Sequence, residues 1–167
     1  PECGIDIESI AVPDAVNALR TFPRRYREAL EPVPTDRLTE RPTPGTWSIL
    51  EYAVHVREVL DLYALALPIV LEQSHPAFPD VDPDAAAASR PAAMLDRAVV
   101  LDGIAHACDE LVARANETPN SAWDRPFTIG DHEHPARFLM QKAAHEGAHH
   151  LRDIERVRAQ VIGAIDL

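Results

Sequence analysis

The stretch Trp47-Ser48-Ile49-Leu50-Glu51-Tyr52-Ala53-Val54-His55-Val56-Arg57-Glu58-Val59-Leu60 carries the clearest helix start in the chain. Ser48 and Glu51 stand at the spacing of a capping box, in which the Ser48 hydroxyl accepts from the Glu51 amide and the Glu51 carboxylate accepts from the Ser48 amide. Trp47, just before the cap, is placed to staple onto Tyr52. The helix then runs through Val54, His55, Val59, Leu62 and Leu65 toward Pro68, which is expected to kink or loosen its last turns.

Outward from this helix the same period recurs. Ala, Leu, Arg and Glu return at three- and four-residue spacings, β-branched residues never alternate for long, and there are only 6 Gly, so the expected fold class is all-α. The 15 Pro fall mostly between periodic segments and mark the joints. A first helix starts near Pro13 and carries Val16, Leu19, Phe22, Tyr26 and Leu30, with a kink or break at Pro23. Pro32, Pro34, Pro42 and Pro44 force an extended connection to the Ser48 helix. Residues 74–91 have no apolar face and read as a long surface connection with a short helical turn at the alanines. A third helix from about Pro91 to Asn116 shows Leu95, Val99, Ala105, Cys108, Leu111, Val112 and Ala115, and Pro119 stops it. Phe127-Thr128-Ile129-Gly130-Asp131 reads as a short hairpin or loop, and a fourth helix runs from Pro135 to about Ile162. The sum is a four-helix bundle over residues 1–167, one domain without internal repeats, with a long crossover between its second and third helices.

Composition narrows the function. With 16 Lys and Arg against 27 Asp and Glu the net charge is −11, which repels phosphate backbones and anionic membrane faces, so neither nucleic acid nor membrane is expected as a partner. No apolar run reaches the roughly 18–20 residues that span a bilayer, and the first residues lack the basic-then-apolar layout of a signal peptide. The two cysteines, Cys3 and Cys108, are too few to staple the domain and suit a reducing compartment, so the expected location is cytoplasmic. The chain opens on Pro1 rather than Met, which leaves room for residues before it, and Cys3-Gly4 reads either as a free cysteine or as the remnant of a longer cysteine motif.

Among the 8 histidines, three sit where a metal site would need them. His145 and His149 are four apart and project from one helix face within reach of a single ion, and His55 on the second helix adds a third nitrogen if the two helices are neighbours. The bland alternatives are a hydrogen-bonded core histidine at 55 and a solvated polar face at 145 and 149. Glu146 and His150 read as flanking residues. Asp153, four residues after His149, is placed to accept from an imidazole N–H, or to act as an ordinary helix-surface partner. His75, His106, His132 and His134 are expected to face solvent. His145-Glu146-Gly147-Ala148-His149 also matches the H-E-x-x-H pattern of zinc peptidases, but Arg152 rather than Gly follows three residues later, and six or more residues beyond His149 only Glu155 and Asp166 are offered as a third ligand.

Thr46-Trp47-Ser48-Ile49-Leu50-Glu51-Tyr52-Ala53-Val54-His55-Val56, followed by His145-Glu146-Gly147-Ala148-His149-His150-Leu151-Arg152-Asp153-Ile154, resembles the DinB superfamily across most of the chain. The resemblance implies a bundle of up-down-down-up topology holding a divalent metal on three histidines, which maps onto His55, His145 and His149, with Glu51 and Asp153 as supporting residues behind them. It also implies relatives that use a low-molecular-weight thiol, such as mycothiol-dependent S-transferases and maleylpyruvate isomerases. The isomerases carry Glu at the position matched to His145, so an all-histidine set favours the S-transferases.

The expected cofactor is a divalent ion, zinc first among them, and the expected co-substrate is mycothiol or a similar thiol. Three neutral imidazoles leave the ion its full charge, so a thiol in the open position becomes a thiolate that attacks an electrophilic small molecule. Such an enzyme would act in detoxification. No separate catalytic base is visible in the sequence, and the loop from Trp123 to His134 is expected to form part of the site's mouth. Apolar outer faces allow a homodimer. The alternatives are a metal-binding bundle without activity, or another metal-assisted hydrolase or isomerase.

Overall fold

Arg97, Gln141 and Arg125 tie the ends of the long helices together and thereby reveal their directions. The computed structural model describes residues 6–82, Ala85 and residues 96–163. Within them lie α1 (Val12–Leu30), the short α2 (Thr35–Leu38), α3 (Ile49–Glu72), α4 (Arg97–Glu117) and α5 (Arg137–Gly163). The Arg97 guanidinium, at the start of α4, donates to the carbonyls of Leu30 (3.2 Å) and Val33 (2.9 Å) at the end of α1. The Gln141 amide, near the start of α5, donates to Ile10 O (2.9 Å) just ahead of α1. Arg125, ahead of α5, donates to the carbonyls of Val70 and Gln73 at the end of α3. Hence α1 and α5 run one way and α3 and α4 the other, which is the up-down-down-up order. Both α1 and α3 pack on α4 and on α5, so α1 and α3 lie across the bundle from each other.

The capping box forms as expected, with Glu51 N donating to Ser48 Oγ (3.3 Å) and Ser48 N to Glu51 Oε2 (2.8 Å). Trp47 packs on Tyr52 at 5.3 Å between ring centroids. Neither Pro23 nor Pro68 ends its helix, since α1 continues to Leu30 and α3 to Glu72. A single missing N–H removes one helical bond, and the buried neighbours Phe22, Tyr26, Leu67 and Val70 hold the turns on either side.

The inward stripe of α3 is Ile49, Leu50, Ala53, Val54, Val56, Leu60, Leu67 and Val70. Leu65 is 70% exposed and Leu62 46%, so the apolar line expected through them lies to one side of the core. Val99, expected on the inner face of the third helix, is also exposed. Residues 91–95, where that helix was expected to begin, and the alanine turn apart from Ala85, which is helical, lie outside the described residues.

A small sheet closes one end of the bundle. β2 (Pro126–Ile129) and β3 (His132–Pro135) form the expected hairpin through Gly130-Asp131, where Gly130 takes φ 55°. β1 (Ala77–Phe78), inside the stretch read as plain connection, pairs parallel with β2, and Phe78 packs edge-on against Phe127 at 5.9 Å. A strand of two residues is too short to show alternation, so the sequence carried no signal for it.

Candidate metal centre and pocket

His55 stands two turns into α3, while Glu146 and His150 stand one turn apart on α5, facing it. Glu146 Oε2 lies 3.2 Å from His150 Nε2 and 3.9 Å from His55 Nε2. The two imidazoles meet edge to face at 4.8 Å. All three ligand atoms fall within 4.8 Å of one another. Trp47 packs against His55 and Tyr52 against His150, so the capping segment that starts α3 also walls the histidines.

The ligand set expected from sequence, His55, His145 and His149, is not what the fold brings together. Among the described residues the set converging with His55 is Glu146 and His150, one position further along α5. One residue on a helix is a rotation of about 100°, and the packing of α5 fixes that rotation. Gly147 faces α1 so closely that a Cβ there would stand 2.2 Å from Phe22 Cε2, and the Tyr26 hydroxyl donates to Gly147 O at 2.8 Å. With Gly147 toward α1, His145 and His149 point roughly 160° away from it, whereas Glu146 and His150 turn toward α3. His145 stands one turn beyond Gln141, on the face that holds the N-terminal segment, and stacks on His149 at 5.6 Å. It is buried, and burial lowers its pKa, favouring the neutral ring.

Asp153, read from sequence either as orienting an imidazole or as an ordinary helix-surface partner, lies against two histidines. Its Oδ2 lies 2.9 Å from His150 Nδ1 and 3.4 Å from His149 Nε2, and its Oδ1 accepts from Arg156. A carboxylate only accepts, so a proton on His150 Nδ1 serves Asp153 and would leave the Nε2 lone pair to a bound ion, whereas a proton on Nε2 serves Glu146. His149, His150 and Asp153 also converge, as the outer layer of the same arrangement. Glu51 does not reach the centre. It is held by the Ser48 amide and by Arg41, whose Nε donates to Oε2 at 2.8 Å. Burial alone raises the Glu51 pKa, but Arg41 and Ser48 outweigh it and the net shift is downward.

Two imidazole nitrogens and a carboxylate oxygen thus converge, and with both rings unprotonated at Nε2 they form a set of lone pairs that a cation would bridge. Atoms about 2.1 Å from a tetrahedral ion are separated by roughly 3.4 Å, and the observed 3.2 and 3.9 Å bracket that value. The residues therefore fit a divalent ion. On the other side of the carboxylate, Lys142 Nζ donates to Glu146 Oε1 at 2.6 Å. Burial by itself would raise the Glu146 pKa, but His150, His55 and Lys142 hold it well below the usual carboxylate range.

A pocket of about 670 Å³ opens directly onto His55 and Glu146. Tyr63, Phe78, Phe127 and Phe138 give it apolar walls, and Lys142 stands beside Glu146. Burial and the nearby Glu146 push the Tyr63 hydroxyl pKa up, so it stays a neutral donor. The expected loop contributes to the mouth through Phe127, Ile129, His132 and His134, while Trp123 is buried in the core. His75, His106 and His132 are exposed as expected. His134 is half-buried, stacked on Phe138 at 3.9 Å, and burial lowers its pKa. The H-E-x-x-H reading requires His145 and His149 as a ligand pair with Glu146 as base, and the fold instead places Glu146 among the converging donors.

The sequence could have shown the register. Leu139, Met140, Ala143, Ala144, Gly147, Leu151, Ile154, Val157 and Val161 form one small and apolar stripe, which leaves 146 and 150 at its edge and 145 and 149 behind it.

The chain matches the DinB superfamily over residues 18–154. Its fold superposes on YfiT from Bacillus subtilis with a TM-score of 0.81 at 16% identity, covering 90% of this chain and 89% of that one. YfiT is described as "a probable metal-dependent hydrolase with an unusual four-helix bundle topology". No curated protein matches the sequence.

Proposed function

The chain belongs to the DinB superfamily, and from that premise we propose that it is a metal-dependent enzyme whose His55, Glu146 and His150 hold a divalent ion, zinc first among candidates, at the inner end of the apolar pocket. The observation that carries this reading is the convergence of ligand-capable atoms of His55, Glu146 and His150 from α3 and α5, with His55 and Glu146 lining a ligand-sized cavity. When bound, such an ion lowers the pKa of a thiol or water in its open position, so that a nucleophile exists at neutral pH. The residues do the rest. Asp153 fixes the His150 tautomer, Lys142 holds the outer oxygen of Glu146, and Tyr63, Phe127 and Phe138 exclude water from the reacting partner.

For the nucleophile we favour a low-molecular-weight thiol, mycothiol above all, conjugated to an electrophilic small molecule in the cytoplasm as a detoxifying S-transfer. The family resemblance supports this. The ground that separated S-transferase from isomerase, an all-histidine set, does not survive the change of register, because Glu146 now belongs to the donor set. One observation favours a second reading. Two histidines and a glutamate are a donor set found at zinc sites that activate water, in keeping with the description of YfiT as a probable hydrolase.

Elemental mass spectrometry of untagged protein tests the centre. The expected result is about one ion per chain, lost in His55→Ala and His150→Ala and retained in His149→Ala. Conjugation of thiols to a generic electrophile, run beside ester hydrolysis on the same metal-loaded sample, then separates the two nucleophiles. A protein that carries no metal and cannot be reconstituted overturns the reading.

A further inference from the structure

Lys142 is the only lysine in the chain, and it lines a pocket that is mostly apolar. It has three N–H donors. One goes to Glu146 Oε1 at 2.6 Å, and the side chain, which lines the cavity, keeps 29% exposure. Glu146 divides its two oxygens, Oε2 toward the two imidazoles and Oε1 toward Lys142. This division makes Lys142 compatible with an occupied centre, because an ion held through Oε2 leaves the lysine where it is.

The charge balance at this end of the pocket then has a consequence. A divalent ion and the ammonium contribute three positive charges, Glu146 contributes one negative charge, and the imidazoles are neutral. Two positive charges remain in a cavity walled by Tyr63, Phe78, Phe127 and Phe138. Two further acids line the cavity, Glu58 and Asp80. Glu58 approaches Arg57 at 3.8 Å, and Asp80 lies at the exposed rim beside Gly130. An anionic nucleophile offsets one charge and leaves the second to the other reactant.

Resting on the metal-centre reading, we propose that the pocket takes a substrate with an apolar or aromatic body and a single carboxylate, and that the carboxylate is received by the Lys142 ammonium beside the centre. Lys142 is in this account a specificity determinant. It selects against the uncharged isostere, whose carbonyl is a weaker partner for a desolvated cation. The aromatic walls supply the contact area and the ammonium supplies the orientation.

The test is calorimetric binding of 2-naphthoate and of its neutral amide, 2-naphthamide, to the metal-loaded protein, to Lys142→Met and to Lys142→Arg, with metal content measured on every sample. The expected result is a preference of at least about tenfold for the carboxylate, equal to about 1.4 kcal/mol. Lys142→Met, compared with wild type at equal metal occupancy, should abolish it with the amide still bound, and Lys142→Arg should keep it. Equal binding of the two probes to wild type overturns the proposal, as does a preference that survives in Lys142→Met, which would assign the carboxylate to the ion alone. Failure of both probes to bind overturns it as well. A protein that holds no metal yet shows a Lys142-dependent preference supports the carboxylate subsite and refutes the metal centre, so the two readings fail separately.

Discussion

Replacing Asp153 by Asn tests the register of the metal centre without removing a ligand. Asp153 is 6% exposed and its Oδ2 lies 2.9 Å from His150 Nδ1. Asparagine keeps the shape and an acceptor oxygen but loses the charge that fixes the His150 tautomer and raises the basicity of Nε2. Changes of this kind behind a ligating histidine weaken metal affinity by about 10–100-fold, or about 1.4–2.7 kcal/mol. The fold itself should change little, because the other Asp153 partners, Arg156 and His149, are 63% and 31% exposed and such pairs contribute little in water. Competition against a chromogenic chelator measures the affinity, and far-ultraviolet circular dichroism checks the helices. Because Asp153 acts through His150, adding Asp153→Asn to His150→Ala should produce no further loss. His149→Ala should cost far less than His150→Ala, since His149 is 31% exposed and borders Asp153 and the His150 ring from the outer side. An unchanged affinity in Asp153→Asn, or equal losses in the two histidine variants, would refute the assignment of His150 as the inner residue.

Gly147→Ala would force a methyl group to within 2.2 Å of the Phe22 ring, so urea unfolding should show a loss of about 1–3 kcal/mol from overpacking, with weaker metal binding if α5 rotates to relieve it. Ser48→Ala removes the acceptor for the Glu51 amide at the start of α3 and should cost about 1 kcal/mol in the same assay. The Glu51 carboxyl is shifted downward, with Arg41 and Ser48 outweighing the upward push of burial. Its contribution is therefore present above the unfolded value of about 4.3 and is lost as pH falls through the folded value. Glu51→Gln should thus lower the urea midpoint at pH 7 and flatten its decline in acid, and an unaltered acid limb would count against the pairing.

The bundle was legible because its signals are local and redundant. The Ser48–Glu51 box fixes where α3 begins, the apolar spacings fix which segments are helical, and the proline clusters fix where they end. Direction and neighbour order were not in those signals and came from the family resemblance; in the structure they rest on long-range ties such as Arg97 to Leu30 and Gln141 to Ile10. The parallel pairing of β1 with β2 was invisible because Ala77-Phe78 is stabilised by its partners rather than by its own pattern. At the site, His55 and Asp153 were legible as chemistry-bearing residues on inward flanks. The α5 residues were harder, because the segment His145-Glu146-Gly147-Ala148-His149-His150 contains two interleaved pairs four apart, and residue type alone favours the pair of histidines.

What decides between those pairs is a contact made with neither of them. Gly147 has no side chain, so α1 approaches α5 until Phe22 fills the gap and Tyr26 reaches the Gly147 carbonyl. That approach sets the rotation of α5 about its own axis, and the rotation delivers Glu146 and His150 to α3. The up-down-down-up order places α1 and α3 on different sides of α5, so one face can be fixed by close packing while the adjacent face carries the donors. The site is thus built by the core at its back. On this account a perturbation at Phe22 or Gly147 should reach the metal centre before it reaches the pocket walls, which are held independently by the Phe78, Phe127 and Phe138 cluster around the sheet.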